Sequence, residues 1–235
     1  MKEVELEEMP KLTKCTLLTA FKCVESVRMR NAGRLEEMKV LVNAKKEVEE
    51  EEEEEEEWEL PEPPEPKPLV SFEIPEPMMD QPMILTSEND WDRMDRTIEV
   101  MNVSDNSYNE EKLTELDLSG FVNLRELKVG NECFMYVNEV KLMGTSKLES
   151  VEIGMNSFTQ HKNDVENDPN RHFYLKNCPK LKSLKMGRYS FSDYTVIEIE
   201  NVDALEVIEM GDLTEYSANF YYASLELKSI LILDE

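Results

Sequence analysis

The chain has 235 residues, enough to bury a sizeable core in one long domain or two small ones. Its 52 Asp and Glu against 26 Lys and Arg give a formal net charge of −26, which opposes binding to nucleic-acid phosphates and anionic lipid and makes basic proteins the natural electrostatic complement. The opening MKEVELEEMPKL has no basic n-region or apolar h-region, and no run of about 18 apolar residues occurs, which argues against a leader or membrane span and for a cytoplasmic or nuclear location.

In chain order, the first elements are two copies of one pattern, Leu12-TK-Cys15-T-Leu17 and Leu35-EE-Met38-K-Val40, 23 residues apart. Each is preceded eight residues earlier by a short apolar alternation, Val4/Leu6 and Val27/Met29. Alternation at a spacing of two predicts strands, so each unit holds two short strands. Residues 45–95 then break the pattern. Nine consecutive glutamates, Glu49 to Glu57, run into a proline-rich stretch, and residues 45–80 alone hold sixteen acids against three lysines, half of the chain's net charge. Like-charge repulsion and proline leave too little apolar content to pack, so this insert is expected to be disordered. Trp58 and Phe72 stand out within it as apolar anchors for a partner.

The pattern resumes at Ile98-EV-Met101-N-Val103 and strengthens in Leu124-RE-Leu127-K-Val129, Leu148-ES-Val151-E-Ile153, Leu181-KS-Leu184-K-Met186, Leu205-EV-Ile208-E-Met210 and Leu227-KS-Ile230-L-Ile232. The starts of these last five step by 24, 33, 24 and 22 residues. Earlier strands again lie eight residues upstream, at Leu116/Leu118, Val140/Leu142, Phe173/Leu175 and Ile197/Ile199. Asn31, Gly120, Gly144, Asn177 and Asn201 follow the earlier strands as turn residues that tolerate positive φ, and Gly130, Gly154, Gly187 and Gly211 mark a second corner after the later strands. Beyond that corner Tyr108, Phe134, Phe158 and Phe191 share one slot, two residues after an Asn slot in which Glu132, Tyr189 and Leu213 stand as exceptions.

These residues read as LxxLxLxxNxL and resemble the leucine-rich-repeat superfamily, in particular its irregular BspA-like type with two short strands per unit of 23 to 24 residues. The resemblance covers about residues 3–44 and 96–233 and implies a mostly β solenoid of short parallel strands that binds other proteins. On this reading 1–44 and 96–235 form one continuous solenoid interrupted by the insert. Its core rungs are Leu124, Leu127, Leu148, Val151, Leu181, Leu184, Leu205 and Ile208, because no unit can bury its apolar side without neighbours.

Outward residues of the later strands run Lys128, Glu152, Lys185, Glu209 and then Leu231, an alternating ladder that neutralises itself and serves structure first. Those of the earlier strands run Asp117, Lys141, Tyr174 and Glu198, with Tyr174 the candidate contact residue. The segment 160–172 lengthens one unit and holds His161 and His172 beside Asp164, Glu166 and Asp168, without the spacing of a calcium loop or a two-histidine metal site, and is expected to be a solvated loop. Cys15, Cys23, Cys133 and Cys178 form no CxxC pair and fall among apolar positions, as buried free thiols do.

No nucleophile elbow, P-loop, dinucleotide fingerprint or HExxH occurs, so no catalytic, cofactor or metal residue is assigned and a non-enzymatic role is expected. Three functions stay open: a protein-interaction module, an acidic chaperone-like binder of basic proteins such as histones or ribosomal proteins through the insert, and a structural member of a repeat family. The outward Leu231 on a final strand without a polar cap adds a route to end-to-end self-association. The proposed register is tested by stability. Leu184→Ala is expected to cost about 2–5 kcal/mol in urea unfolding and Lys185→Ala under about 1 kcal/mol; equal, negligible effects reject it.

Overall fold

Strands only three to nine residues long cannot bury an apolar edge alone, and in the computed structural model they do so by stacking in parallel. The structure describes residues 3–7, 9–18, 26–30, 37–41, 83–85, 95–164, 167–211, 217–223 and 225–228. Among these the chain is strand-rich and has no helix. The N-terminal segment gives β1 (Glu3–Glu7), β2 (Lys14–Leu18), β3 (Ser26–Arg30) and β4 (Glu37–Leu41), and β5 (Met83–Leu85) precedes the main body. The body comprises β6 (Val100–Val103), β7 (Glu115–Asp117), β8 (Glu126–Val129), β9 (Glu139–Met143), β10 (Ser150–Ile153), β11 (Asp168–Lys176), β12 (Ser183–Met186), β13 (Tyr194–Glu200), β14 (Val207–Met210) and β15 (Leu225–Lys228).

Two parallel sheets result, because each pair of consecutive strands in the body sends one strand to each. The first runs β3-β1-β15-β13-β11-β9-β7 and the second β4-β2-β14-β12-β10-β8-β6-β5. Consecutive body units pair without register slips in the second sheet: Leu127 faces Val151, Val151 faces Leu184 and Leu184 faces Ile208. Leu124, Leu127, Leu148, Val151, Leu181, Leu184, Leu205 and Ile208 are all buried in one core cluster.

The corner after each later strand is a residue-by-residue repeat. Two positions, separated by one, take the left-handed conformation: Asn106 and Tyr108, Glu132 and Phe134, Asn156 and Phe158, Tyr189 and Phe191, Ala218 and Phe220. Bulky residues rarely accept positive φ, and here the turn swings each ring inward onto its neighbour. Tyr108, Phe134, Phe158, Phe191 and Phe220 form one stacked column with centroids 5.1, 4.9, 4.6 and 4.9 Å apart. Stacked aromatic pairs contribute about 0.5–1.5 kcal/mol each beyond their buried area, which together with burial of the rings works against an αL cost of about 1–2 kcal/mol per residue.

Of the glycines at this corner Gly211 adopts positive φ, as a turn residue would, whereas three have a different role. Gly130, Gly154 and Gly187 are absent from the positive-φ positions; they are small because the neighbouring coil lies against them. A Cβ on Gly154 would stand 2.5 Å from the Gly130 carbonyl carbon. The approach lets the residue between the two left-handed positions reach across: Ser157 Oγ donates to the Gly130 carbonyl at 2.8 Å, Ser190 Oγ donates to that of Gly154, and Asn219 Nδ2 donates to that of Gly187 at 2.6 Å. At the other corner Gly144, Asn177 and Asn201 do adopt positive φ, whereas Gly120 does not; Asn31 lies outside the described residues.

Three further expectations change. Met83–Leu85, placed in the disordered insert, forms β5 on the edge of β6, since an apolar tripeptide beside an open edge gains a ladder; Trp58, Phe72 and the glutamate run lie outside the described residues. The last unit is shifted. β15 aligns Leu225 and Leu227 with Ile197 and Ile199, so Leu227 belongs to an earlier strand and does not start a later one. Phe220 fixes this register by stacking on Phe191, and Ala218, not Leu213, takes the slot two residues before it. Leu213 and Leu231 lie outside the described residues, and the position beside Glu209 assigned to Leu231 is taken by Thr16.

The order of strands also departs from the order of the chain. β4 and β5, consecutive in sequence, stand at opposite ends of the eight-stranded sheet, and β1 and β2 pair with β15 and β14. The N-terminal units therefore sit at the far end of the body and not beside the unit begun by Ile98.

Gly154→Ala and Gly144→Ala separate the two uses of glycine. The second meets open space and is expected to cost about 1–2 kcal/mol for its φ of 70°. The first must displace backbone and is expected to cost more in urea unfolding; the reverse order would reject the close-approach account.

Candidate functional site

The outward face of the second sheet is occupied with itself. Lys128 pairs with Glu152 at 3.5 Å, and Glu209 is held between Lys185 at 3.1 Å and Lys14. One position before these strands a second ladder joins Glu99 to Arg125 at 3.6 Å, Arg125 to Glu149 at 3.4 Å and Glu149 to Lys182 at 3.5 Å. The lysines and arginine hold the Glu149 and Glu209 carboxyls below the usual glutamate range, Lys182 being the main influence on the first and the Lys14 hydrogen bond on the second. Such exposed pairs are screened by solvent and contribute little to stability one by one. Their alternation cancels the face's charge.

The first sheet presents a less even surface. Its outward row is Asp117, Lys141, Tyr174 and Glu198, which stand side by side in register. Tyr174 is half-buried. Its hydroxyl lies 3.0 Å from His172 Nδ1, the His172 ring meets it edge-on at 5.9 Å, and the Lys176 ammonium sits over it at 5.6 Å. Burial, and then the Glu198 charge, push the Tyr174 hydroxyl above its ordinary pKa. Lys176 is raised by its hydrogen bond to Glu198, and Lys141 by hydrogen bonds to Glu115 and Glu139, at 2.7 and 2.8 Å.

Beside this row opens a depression of about 390 Å³ lined by Thr114, Glu115, Asn138, Glu139, Asn170 and His172. Its wall is set by main-chain bonds: Asn138 N donates to the Thr114 carbonyl at 2.7 Å and His172 N to the Asn138 carbonyl at 2.7 Å. The lining offers carboxylate, amide and imidazole groups, a polar set suited to hydrogen-bonding a cationic or polar side chain.

The segment 160–172, expected as a solvated loop, is a loop only in its first part: Asp168 to His172 begin β11, and its described residues are exposed or half-buried with one exception. Arg171 is 1% exposed, stands 3.4 Å from the equally buried Asp193 and 3.5 Å from Asp168, and donates to the carbonyl of Met135 at 3.1 Å and to those of Val137 and Phe158 at 3.4 Å. Asp193 Oδ2 accepts from Gln160 N at 3.1 Å, so the pair ties both ends of the segment to the body. Burial raises the Asp193 carboxyl despite the Arg171 charge. Nothing in the sequence around Arg171 distinguishes it from a surface arginine, and this pair was not foreseen. His172 uses both ring nitrogens, on Tyr174 Oη and at 3.0 Å on the Pro169 carbonyl, and among the described residues no cluster of three or more His, Cys, Asp or Glu could hold a metal ion; Glu166 lies outside them.

Cys15, Cys133 and Cys178 are buried and unbridged, with burial pushing Cys15 up to about 12, Cys133 to about 11 and Cys178 in the same direction. They stay protonated thiols near neutrality. Cys23 lies outside the described residues. No described helix is long and apolar enough to cross a membrane. Comparison with protein-family models, with curated proteins and with solved structures finds no match.

The buried pair gives a thermodynamic prediction. Arg171→Met alone is expected to cost about 3–5 kcal/mol, because it leaves a buried carboxylate unpaired, and adding Asp193→Leu should restore most of that. In the wild type the raised Asp193 value makes a stability contribution present below the ordinary carboxylate range and lost as pH rises through the raised value. Urea unfolding of both variants at several pH values checks the sign and the coupling; additive losses would refute it.

Proposed function

We propose that the chain is a leucine-rich-repeat solenoid acting as a non-enzymatic protein-interaction module, and that it meets its partner with the outward face of the first sheet around Tyr174. The observation that supports this is the contrast between faces. Outward charges are paired on both sheets, but the first also carries a half-buried tyrosine framed by His172 and Lys176 next to a polar depression lined by Glu115 and Glu139. Tyrosine supplies a large contact at low entropic cost, and the depression suits a lysine or arginine side chain of the partner. The chain's net charge of −26 would draw basic partners to it.

The acidic insert offers a second reading, because residues 45–80 carry half of that charge. In it the glutamate run, with Trp58 and Phe72, engages basic proteins directly. Purified core histones separate the two. If the sheet face binds, Tyr174→Ala weakens histone binding about tenfold or more in titration while deletion of residues 47–66 leaves most of it at physiological salt. If the insert binds, deletion abolishes a strongly salt-sensitive interaction and Tyr174→Ala changes nothing. Binding unaffected by either variant rejects both sites.

A further inference from the structure

The join between the two ends of the chain has the same chemistry as the joins between consecutive units. In the body, each later strand is entered by two consecutive N–H groups that share one carbonyl of the preceding unit. Arg125 N and Glu126 N donate to Glu99 O, Glu149 N and Ser150 N to Arg125 O, Lys182 N and Ser183 N to Glu149 O, and Glu206 N and Val207 N to Lys182 O. Thr13 N and Lys14 N continue the series onto Glu206 O, at 2.9 and 3.1 Å. Cys15 faces Ile208 and Leu17 faces Met210 as rungs, Met9, Leu12, Cys15 and Leu17 are buried, and Lys14 extends the charge ladder to Glu209. In the other sheet β1 flanks β15 over four residues. The N-terminal block thus seats as the next unit would, yet no short connection ties it there.

The connection it has is long. Between Leu41 and Met83 lie 41 residues, and seven strand intervals separate β4 from β5. At about 4.8 Å per interval these ends are about 34 Å apart, well inside the roughly 140 Å that this length of chain can reach. Charge favours the seating. Residues 1–44 hold eight basic and seven acidic residues, whereas 96–235 hold fourteen and twenty-five. Of the three segments 1–44, 45–95 and 96–235, the block is the one without net negative charge.

We propose that the N-terminal block is an exchangeable closing piece, and that the β14 and β15 edges it covers are an interaction surface for the block of a second copy of this chain. Residues 42–82 carry the block back to its own body and so keep the chain closed on itself; where they cannot span, the block closes a neighbour. Because β4 then passes directly to β5 of its own body, the contact is heterologous and propagates head to tail, as unclosed contacts do. This does not depend on the proposed partner face.

Deletion of residues 45–80 leaves five residues between β4 and β5, which reach about 21 Å at most and cannot cover about 34 Å. Thr16 and Glu209 are register partners, within disulfide range of each other. In the full-length chain, Thr16→Cys with Glu209→Cys should oxidise to an intramolecular disulfide in a monomer. In the deletion variant the same pair should link chains, and light scattering should give twice the variant's own mass or more. A full-length pair that stays reduced, or a deletion variant that is monomeric or linked within one chain, overturns the proposal. Should the deletion variant fail to fold, two full-length chains, one with each single cysteine, are mixed and oxidised. Cross-linked heterodimer that rises with concentration supports exchange, and its absence up to millimolar chain overturns it.

Discussion

The structure depends on one corner. After each later strand the chain must turn back toward the other sheet within a few residues, and it does so with two left-handed residues separated by one. That geometry is costly for Tyr108, Phe134, Phe158, Phe191 and Phe220, and it is tolerated because it directs each ring into the stack of its neighbours. The same turn brings Ser157, Ser190 and Asn219 within reach of glycine carbonyls one coil away, so the close approach permitted by Gly154 and Gly187 is used at once for buried hydrogen bonds. Conformation, packing and polar satisfaction are met by one set of positions. A change at any of them is felt by the coils on both sides.

Because this corner fixes where each coil lies on the next, it also fixes the register of both sheets. Spacing of apolar residues made the strands, the buried rungs and the charge ladder of Lys128, Glu152, Lys185 and Glu209 legible from the sequence, since each follows from alternation and a repeat step. The final unit was not. Leu225, Leu227, Ile230 and Ile232 offer alternation in more than one frame, and the frame is chosen by contacts that spacing does not show, among them the stacking of Phe220 on Phe191 and the pairing of β15 with β13 and β1. The candidate site was half visible: Tyr174 could be placed on an outward row, and His172 and Lys176 lie two positions either side of it on the same face of β11, as alternation implies, but the bond from the His172 ring to Pro169 depends on the irregular start of β11, which no spacing announces.

Arg171 shows why such a start exists. A segment thirteen residues long interrupts the unit that ends in β11, and Arg171, one before its last residue, turns into the core to meet Asp193 and three main-chain carbonyls. A buried ion pair is weak evidence for net stability but strongly penalises any arrangement that separates its partners. It therefore pins the lengthened loop in one place, and the depression beside Glu139 and His172 inherits its wall from that placement.

The position of the N-terminal block follows from the uniformity of the rest. A unit recognises its neighbour through two N–H groups on one carbonyl, apolar rungs in register and alternating charge, and none of these records which neighbour came before it in the chain. Sequence order alone would set β4 beside β5. The structure sets β2 beside β14, where Lys14 meets Glu209, so the end of the body that carries an acceptor carbonyl on Glu206 and a carboxylate on Glu209 is the end that receives it. The joins between consecutive strand pairs and the join to the N-terminal block thus share one chemistry, and it is that chemistry, not the order of the chain, that sets β2 beside β14.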